Sequence, residues 1–289
     1  MSTRSGRFAF DVESFQWVGK KLGFYGSLFV LTLVSMFPVI WMFVTSIKQP
    51  ANVVQFPVHY LPQNPTLENY ATALSQAPFL RYLVNSAIVA GGTAIVDVVL
   101  GALAGYALSR LRFQYKLHVL LLILGTAMLP YISRLIPLFS LARSWGLLND
   151  YLGLIVPYSA FQLPFAVWIF QAYFKELPDS LEEAGLMDGL SRIGVLFRII
   201  LPVSAPAMAT TAIIVFIYAW NEFLFALTFM TQDQMRTITV GIALYQGQYQ
   251  YPWGTISAAV FMSIVPLMLF MLFFQQRVVE GLTAGTGKA

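Results

Sequence analysis

The chain of 289 residues contains no cysteine. Disulfides, thiolate metal sites and cysteine nucleophiles are therefore excluded, and the redox compartment is left open. Charge is scarce as well: Asp, Glu, Lys and Arg make up 10% of the residues, against roughly 25% in ordinary soluble domains. Histidine occurs twice, at His59 and His118. One falls in a polar loop and the other at the edge of an apolar run, so both are read as structural and no metal site is expected. No stretch alternates apolar and polar residues as barrel strands would. The net charge of +4 is small, and its meaning lies in how it is distributed along the chain rather than in an affinity for nucleic acid.

What is abundant is apolar: 58% of the residues, with a mean hydropathy of +0.70. The solvent such a chain fits is a bilayer. Six stretches are long enough to cross about 30 Å of hydrocarbon as helices: Leu22–Thr45, Leu83–Ser109, Leu117–Pro137, Leu152–Phe174, Pro206–Phe229 and Gly254–Gln275. Helices are expected because a backbone in lipid must satisfy its own hydrogen bonds. Pro130, Pro157, Pro164 and Pro266 fall inside these spans and should kink them. Gly101 and Gly105 have a small-xxx-small spacing suited to close helix packing, although glycines are also ordinary residues of membrane helices. The first run is too long for a signal peptide and lacks a small-x-small cleavage site, so it is expected to be an uncleaved anchor.

Twelve of the 17 basic residues fall on one side of these spans. They are Arg4, Arg7, Lys20, Lys21, Arg110, Arg112, Lys116, Lys175, Arg192, Arg198, Arg277 and Lys288. The positive-inside rule makes that side cytoplasmic. The expected architecture is a single all-α transmembrane domain over residues 1–289, with six spans and both termini cytoplasmic. Outer loops are expected near 46–82, 138–151 and 230–253, and a cytoplasmic loop near 175–203.

That cytoplasmic loop holds a polar island, Leu181-Glu182-Glu183-Ala184-Gly185-Leu186-Met187-Asp188-Gly189, followed by Pro202. Pro178-Asp179-Ser180 opens a short helix, and Ser180 with Glu183 has the S-x-x-E spacing of a capping box. Gly189 suits the C′ position, and Ser191 can cap a second helix running to about Ile200. Leu181, Ala184 and Gly185 should cluster on one side. The local physics allows a plain surface helix or a surface gripped by another protein, with equal weight.

Glu183-Ala184-Gly185, Asp188-Gly189 and Ile200-Leu201-Pro202 resemble the EAA motif of binding-protein-dependent ABC importer permeases, with Gly185 where alanine is usual. Further segments resemble the carbohydrate, maltose-type branch, down to its permease with a G-L-T-A-G tail. They are Pro65-Thr66-Leu67-Glu68-Asn69-Tyr70, Asn85-Ser86, the run from Gly105 to Phe113, Trp220-Asn221-Glu222-Phe223, and the tail from Val279 to Gly285. The resemblance implies a type I importer permease fold in an inner membrane. It implies a second permease as partner, two ATP-binding subunits, an extracytoplasmic solute-binding protein and a sugar as cargo. Glu182, Glu183, Ala184, Gly185, Asp188 and Gly189 would then form the coupling helix seated in an ATP-binding subunit. ATP and Mg would be bound by those partners, with no cofactor in this chain. Gly281–Lys288 misses the P-loop pattern, because Leu282 stands where its first glycine belongs and Ala289 follows Lys288.

Ionisable residues within spans are functional candidates by default. Asp97, Gln162, Trp220, Asn221 and Glu222 supply the aromatic, amide and carboxylate groups that a sugar path uses. They could equally bond to neighbouring helices or to the partner permease. The segment Gln246, Gly247, Gln248, Tyr249, Gln250 and Tyr251 alternates aromatic and amide side chains, as a binding-protein contact or an interfacial aromatic belt would. Two other classes compete. An ion-coupled secondary transporter would show inverted repeats, and none is evident. An intramembrane enzyme would need a catalytic set within the spans; Asp97 and Glu222 could in principle pair across helices, but no histidine or cysteine supports them.

Overall fold

The longest apolar runs form the longest helices. The computed structural model describes residues 12–245 and 251–284, with side chains described for Lys21 and for 23–273 apart from 246–250. In chain order the helices are α1 (Val12–Ser46), α2 (Glu68–Gln76), α3 (Phe79–Arg110), α4 (Lys116–Ala127), α5 (Leu135–Ser144), α6 (Leu152–Glu176), α7 (Asp179–Met187), α8 (Arg192–Val195), α9 (Leu201–Val203), α10 (Ala205–Asn221), α11 (Leu224–Phe229), α12 (Ile238–Ala243) and α13 (Trp253–Ala284). No strand occurs among the described residues. Gly23–Ser46, Phe79–Arg110, Leu152–Glu176 and Trp253–Phe273 are each long and apolar enough to cross a membrane. Two bent pairs, Lys116–Ala127 with Ile132–Ser144 and Arg192–Val203 with Ala205–Asn221, raise the number to six if each pair is one span.

The bends correct the sequence reading. Leu117–Pro137 is not one kinked helix: the chain turns 90° between Ala127 and Ile132. Pro130 has no amide hydrogen and pushes Leu129 out of the helical region. As a result α5 runs to Ser144, into the stretch expected to be loop. Pro206–Phe229 is also interrupted. Helix α10 stops at Asn221, Glu222 is extended (φ −66°, ψ 133°), and α11 starts at Leu224. Upstream, the chain turns 80° at Ser204. There Pro202 and Pro206 each remove one donor from the helical ladder, and residues 196–200 widen into a π turn.

The main seam joins α3 to α6. Added Cβ atoms would meet Ile155 at Gly92, Ala166 at Gly101 and Phe170 at Gly105. The paired numbers rise together, so the two helices run parallel with their C-terminal ends side by side. At Gly105 the added atom would lie 2.6 Å from Phe170 Cβ and 2.9 Å from the Gln171 nitrogen. The small-residue spacing is therefore a backbone contact. Gly105→Val is expected to cost about 1–3 kcal/mol by overpacking. It should lower the thermal midpoint of the purified protein, and a midpoint unchanged from the parent would disprove the contact.

Two apolar clusters flank this seam. One gathers Tyr82, Val89, Leu154, Tyr158, Trp220, Phe225 and Ile238. The other gathers Tyr106, Phe170, Phe174, Val195 and Ile200 at the C-terminal ends of α3 and α6. Helix α1 lies outside the bundle against α13, with Phe43 and Phe261 ring centroids 5.1 Å apart. Most of its other side chains are exposed.

Several of the recognisable sequence segments are staples. Buried Asn69 donates to Ser46 O (2.8 Å) and Lys48 O (2.7 Å), and Tyr70 Oη meets Ser46 Oγ at 2.7 Å. The Pro65–Tyr70 segment thus ties the end of α1 to α2. Asn85 donates to Gln234 O and Arg236 O and accepts from Tyr151 Oη. Ser86 Oγ accepts from the Ile238 amide. Together they fix the segment 233–238 over the N-terminal end of α3.

Candidate functional site: the α7 helix and its mount

Helix α7 sits where α3 and α6 end. Arg110, at the last residue of α3, has a side chain only 5% exposed. It donates to Phe174 O (2.6 Å) and Leu177 O (2.5 Å), satisfying carbonyls at the end of α6. It also pairs with Asp179 in the first turn of α7, where a carboxylate suits the helix dipole. One guanidinium therefore ties three helix ends together.

The inner face of α7 is held by a second set. Glu182 is buried. It accepts from Tyr106 Oη on α3 and from Arg192 Nη1 on α8, each at 3.1 Å. Buried Gly185 faces the following turn, where an added Cβ would meet Ile199 Cδ1 at 2.5 Å and Val195 Cγ2 at 2.9 Å. Its departure from the motif's alanine is explained by this fold-back onto the chain itself.

The helix then stops sharply. Gly189 has φ +82°. Its amide reaches Leu186 O (3.1 Å), and the Leu190 amide reaches Gly185 O (3.0 Å). This is the Schellman pattern, in which a left-handed residue returns two amides to the last turn. Ser191 Oγ accepts from the Gly194 amide at 3.2 Å and starts α8, as its sequence position indicates.

Two local expectations are corrected. The capping box does not form: Pro178 occupies the N-cap with no side-chain bond, and Ser180 lies inside the helix. Proline's fixed φ and the Arg110–Asp179 pair start the helix instead. The inner face is Glu182 with Gly185, with Leu181 half-buried, while Ala184 is exposed. Glu183, Ala184, Leu186, Met187 and Asp188 form an outward surface, with Met187 88% exposed. Next to it lies a polar cleft of about 720 Å³ lined by Arg110, Arg112, Lys116, Glu182, Glu183 and Arg192 among others. Tyr106, Arg110 and Arg192 were missed as parts of this site. The signal was present in the Gly105–Phe113 run, which places a tyrosine and an arginine one turn apart at the end of a span.

The candidate path residues have different surroundings. Trp220 is buried in an aromatic ladder: its ring stacks on Phe216 at 5.5 Å, and Phe216 stacks on Phe270 at 4.3 Å. Asn221 is exposed and its side-chain amide bonds to Ile217 O at 2.8 Å. Gln162 is half-buried on α6. Asp97 is fully buried in α3. Glu222 occupies the break between α10 and α11. It accepts from Tyr131 Oη (2.6 Å), the Phe225 amide (3.0 Å), the Ala226 amide (3.1 Å) and Tyr158 Oη. That arrangement makes Glu222 the cap of α11 and its anchor to α6.

Of the outer segment, Gln246, Gly247, Gln248, Tyr249 and Gln250 lie outside the described residues. Tyr251 is exposed and lies beside Trp253 at 5.6 Å. Just before the segment, Tyr245 Oη donates to Ala73 O at 2.5 Å, and burial pushes its phenol up from the ordinary value.

This geometry can be set beside known proteins. The family described as "Binding-protein-dependent transport system inner membrane component" matches residues 97–283. The chain belongs to that family. As a binding-protein-dependent inner-membrane component it is a multi-pass transport permease and not an enzyme. It is 43% identical over 262 residues to the trehalose/maltose transport system permease protein MalG of Thermococcus litoralis, covering 90% of this chain and 94% of that one. It is 40% identical over 267 residues to the sulfoquinovosyl glycerol transport system permease protein SmoH of Agrobacterium fabrum, covering 92% and 93%. The fold is similar to a crystal structure of a bacterial ABC transporter involved in the import of the acidic polysaccharide alginate. That match has a TM-score of 0.73 at 24% identity and covers 93% of this chain and 98% of that chain. The carbohydrate-type ABC importer permease seen in the motifs is thus the family of the relatives.

Proposed function

We propose that the chain is one of two permease subunits of an ATP-driven importer of a sugar or glycoside. It would form half of an alternating-access path and be coupled through α7 to a pair of ATP-binding subunits. The relatives named for trehalose, maltose and sulfoquinovosyl glycerol transport support the substrate class. The fold match to an alginate transporter in complex with a pentasaccharide-bound periplasmic protein (TM-score 0.64, 15% identity) is consistent with a solute-binding protein on the outer side. Both termini and α7 would be cytoplasmic, following the bias of basic residues. ATP and Mg belong to the partner subunits.

The observation that carries this reading is the two-faced α7. Its inner face is pinned by Glu182, Tyr106, Arg192 and Gly185, and its start is tied by Arg110 to the ends of α3 and α6. Its outer face, Glu183, Ala184 and Asp188, has no role in holding the fold. A rigid knob joined to the two helices of the main seam can pass a push from a partner into the membrane domain.

The absence of native cysteine makes the test clean. A single cysteine in Ala184→Cys is expected to cross-link to an ATP-binding subunit in the assembled transporter. One in Ser75→Cys, at the opposite end of the bundle, is expected not to. Cross-linking of Ala184→Cys to the solute-binding protein would reverse the orientation and overturn the reading.

A further inference from the structure

One ionisable group within the spans is used by nothing above. Asp97 is 0% exposed, and neither of its carboxyl oxygens has a hydrogen-bond partner among the described residues. From α6 the Ser159 hydroxyl faces it, close enough to interact but not in hydrogen-bond geometry. That hydroxyl is itself buried and unpartnered, without even the bond to its own helix that serine usually makes. Two polar groups that should each cost stability thus oppose one another across the main α3–α6 seam, with Asp97 one turn from the Gly101–Ala166 contact.

Among the described residues no compensating charge is near. Along α3, Arg110 and Arg81 lie about 20 Å and about 24 Å away at 1.5 Å per residue. On α6 the ionisable groups beyond Tyr158 are Tyr173, Lys175 and Glu176, at its far end. The segment of α10 packed on α3 carries only the Tyr218 phenol, and α12 carries no titratable residue. At the N-terminal end of α3, Tyr82, Asp233 and Arg236 satisfy one another. An unpaired carboxylate in such a place is far costlier than a neutral acid that can donate a hydrogen bond.

We infer that Asp97 is held as the neutral carboxylic acid and donates its proton to Ser159 Oγ, as a positioning residue that sets the register of α3 against α6. Slipping either helix by a residue strands both groups, and this is how a buried polar pair specifies a register. The assignment makes Asp97 part of the scaffold that α7 pushes upon, and it does not depend on which solute is carried.

The test is infrared difference spectroscopy on the full chain in its assembled complex in lipid nanodiscs at neutral pH. The parent minus Asp97→Asn spectrum is expected to contain the carbonyl stretch of a protonated carboxyl group. Asp97→Asn, a neutral isostere, is expected to keep the parental thermal midpoint. Ser159→Ala is expected to move the band to higher frequency, since the acceptor is lost. A carboxylate signature in place of the acid band would overturn the neutral form. A band that Ser159→Ala leaves unmoved would overturn the donation. If Asp97→Asn fails to assemble, Asp97→Glu, which shifts the band without abolishing it, gives the same readout.

Discussion

Glu222→Leu is expected to lose the fold of the α10–α11 corner. The carboxylate accepts four hydrogen bonds, from two tyrosines and two amides. Leucine would leave all four donors buried, at about 1–3 kcal/mol each. The sum of at least about 4 kcal/mol is a large part of the stability of an ordinary domain. The amount of folded, detergent-extracted protein should fall sharply. Glu222→Gln keeps an acceptor and should lose much less. Tyr131→Phe removes one bond and should cost about 1 kcal/mol. If Glu222→Leu folded normally but failed only in transport, Glu222 would belong to the solute path and the structural assignment would fail.

The second large effect lies at the other end of the bundle. Glu183→Lys is expected to cut transport roughly thirtyfold or more while leaving the chain folded and inserted. Glu183 is exposed and makes no bond that holds α7 among the described residues, so its own stability cost should lie within about 0.5 kcal/mol. Placed in an interface, the reversed charge should cost at least about 2 kcal/mol, or roughly a thirtyfold loss of coupling. Glu182→Ala provides the contrast. It releases Tyr106 and Arg192, so it should lose stability and transport together. Measuring uptake and thermal midpoint on both variants separates contact from mount. Normal uptake by Glu183→Lys would remove that residue from the coupling surface.

Much of this was legible in the residues themselves. The apolar runs marked the spans, and the polar island marked α7. Gly189 marked its end, because only a left-handed position returns the two amides of Gly189 and Leu190 to the last turn. Gly101 and Gly105 marked the α3–α6 seam. The failures at Glu182 and Glu222 share a cause, which is that a side chain's role depended on a partner distant in sequence. Glu182 and Glu183 are adjacent and chemically identical. Only the fold, by bringing Tyr106 and Arg192 to one of them, makes Glu182 structural and leaves Glu183 free. Glu222 read as a polar residue inside one long span because nothing local announces that Tyr131 and Tyr158 reach it, or that it caps a new helix. Ser180 and Glu183 had the spacing of a capping box, yet Pro178 and the Arg110–Asp179 pair had already defined the start of the helix. Pro130 was expected to kink a helix and instead ends one, since too little packing surrounds that stretch to hold a helix together across it.

The central claim is that ATP hydrolysis by partner subunits drives sugar import through this permease, by way of α7. Its most direct test uses proteoliposomes containing the full transporter, with the cognate binding protein loaded with the trehalose, maltose or glycosylated glycerol that it retains. Solute accumulation should require ATP on the side of α7, persist when ionophores collapse every ion gradient, and fall roughly thirtyfold or more in Glu183→Lys. Accumulation that continued without ATP and stopped with the ionophores would contradict it.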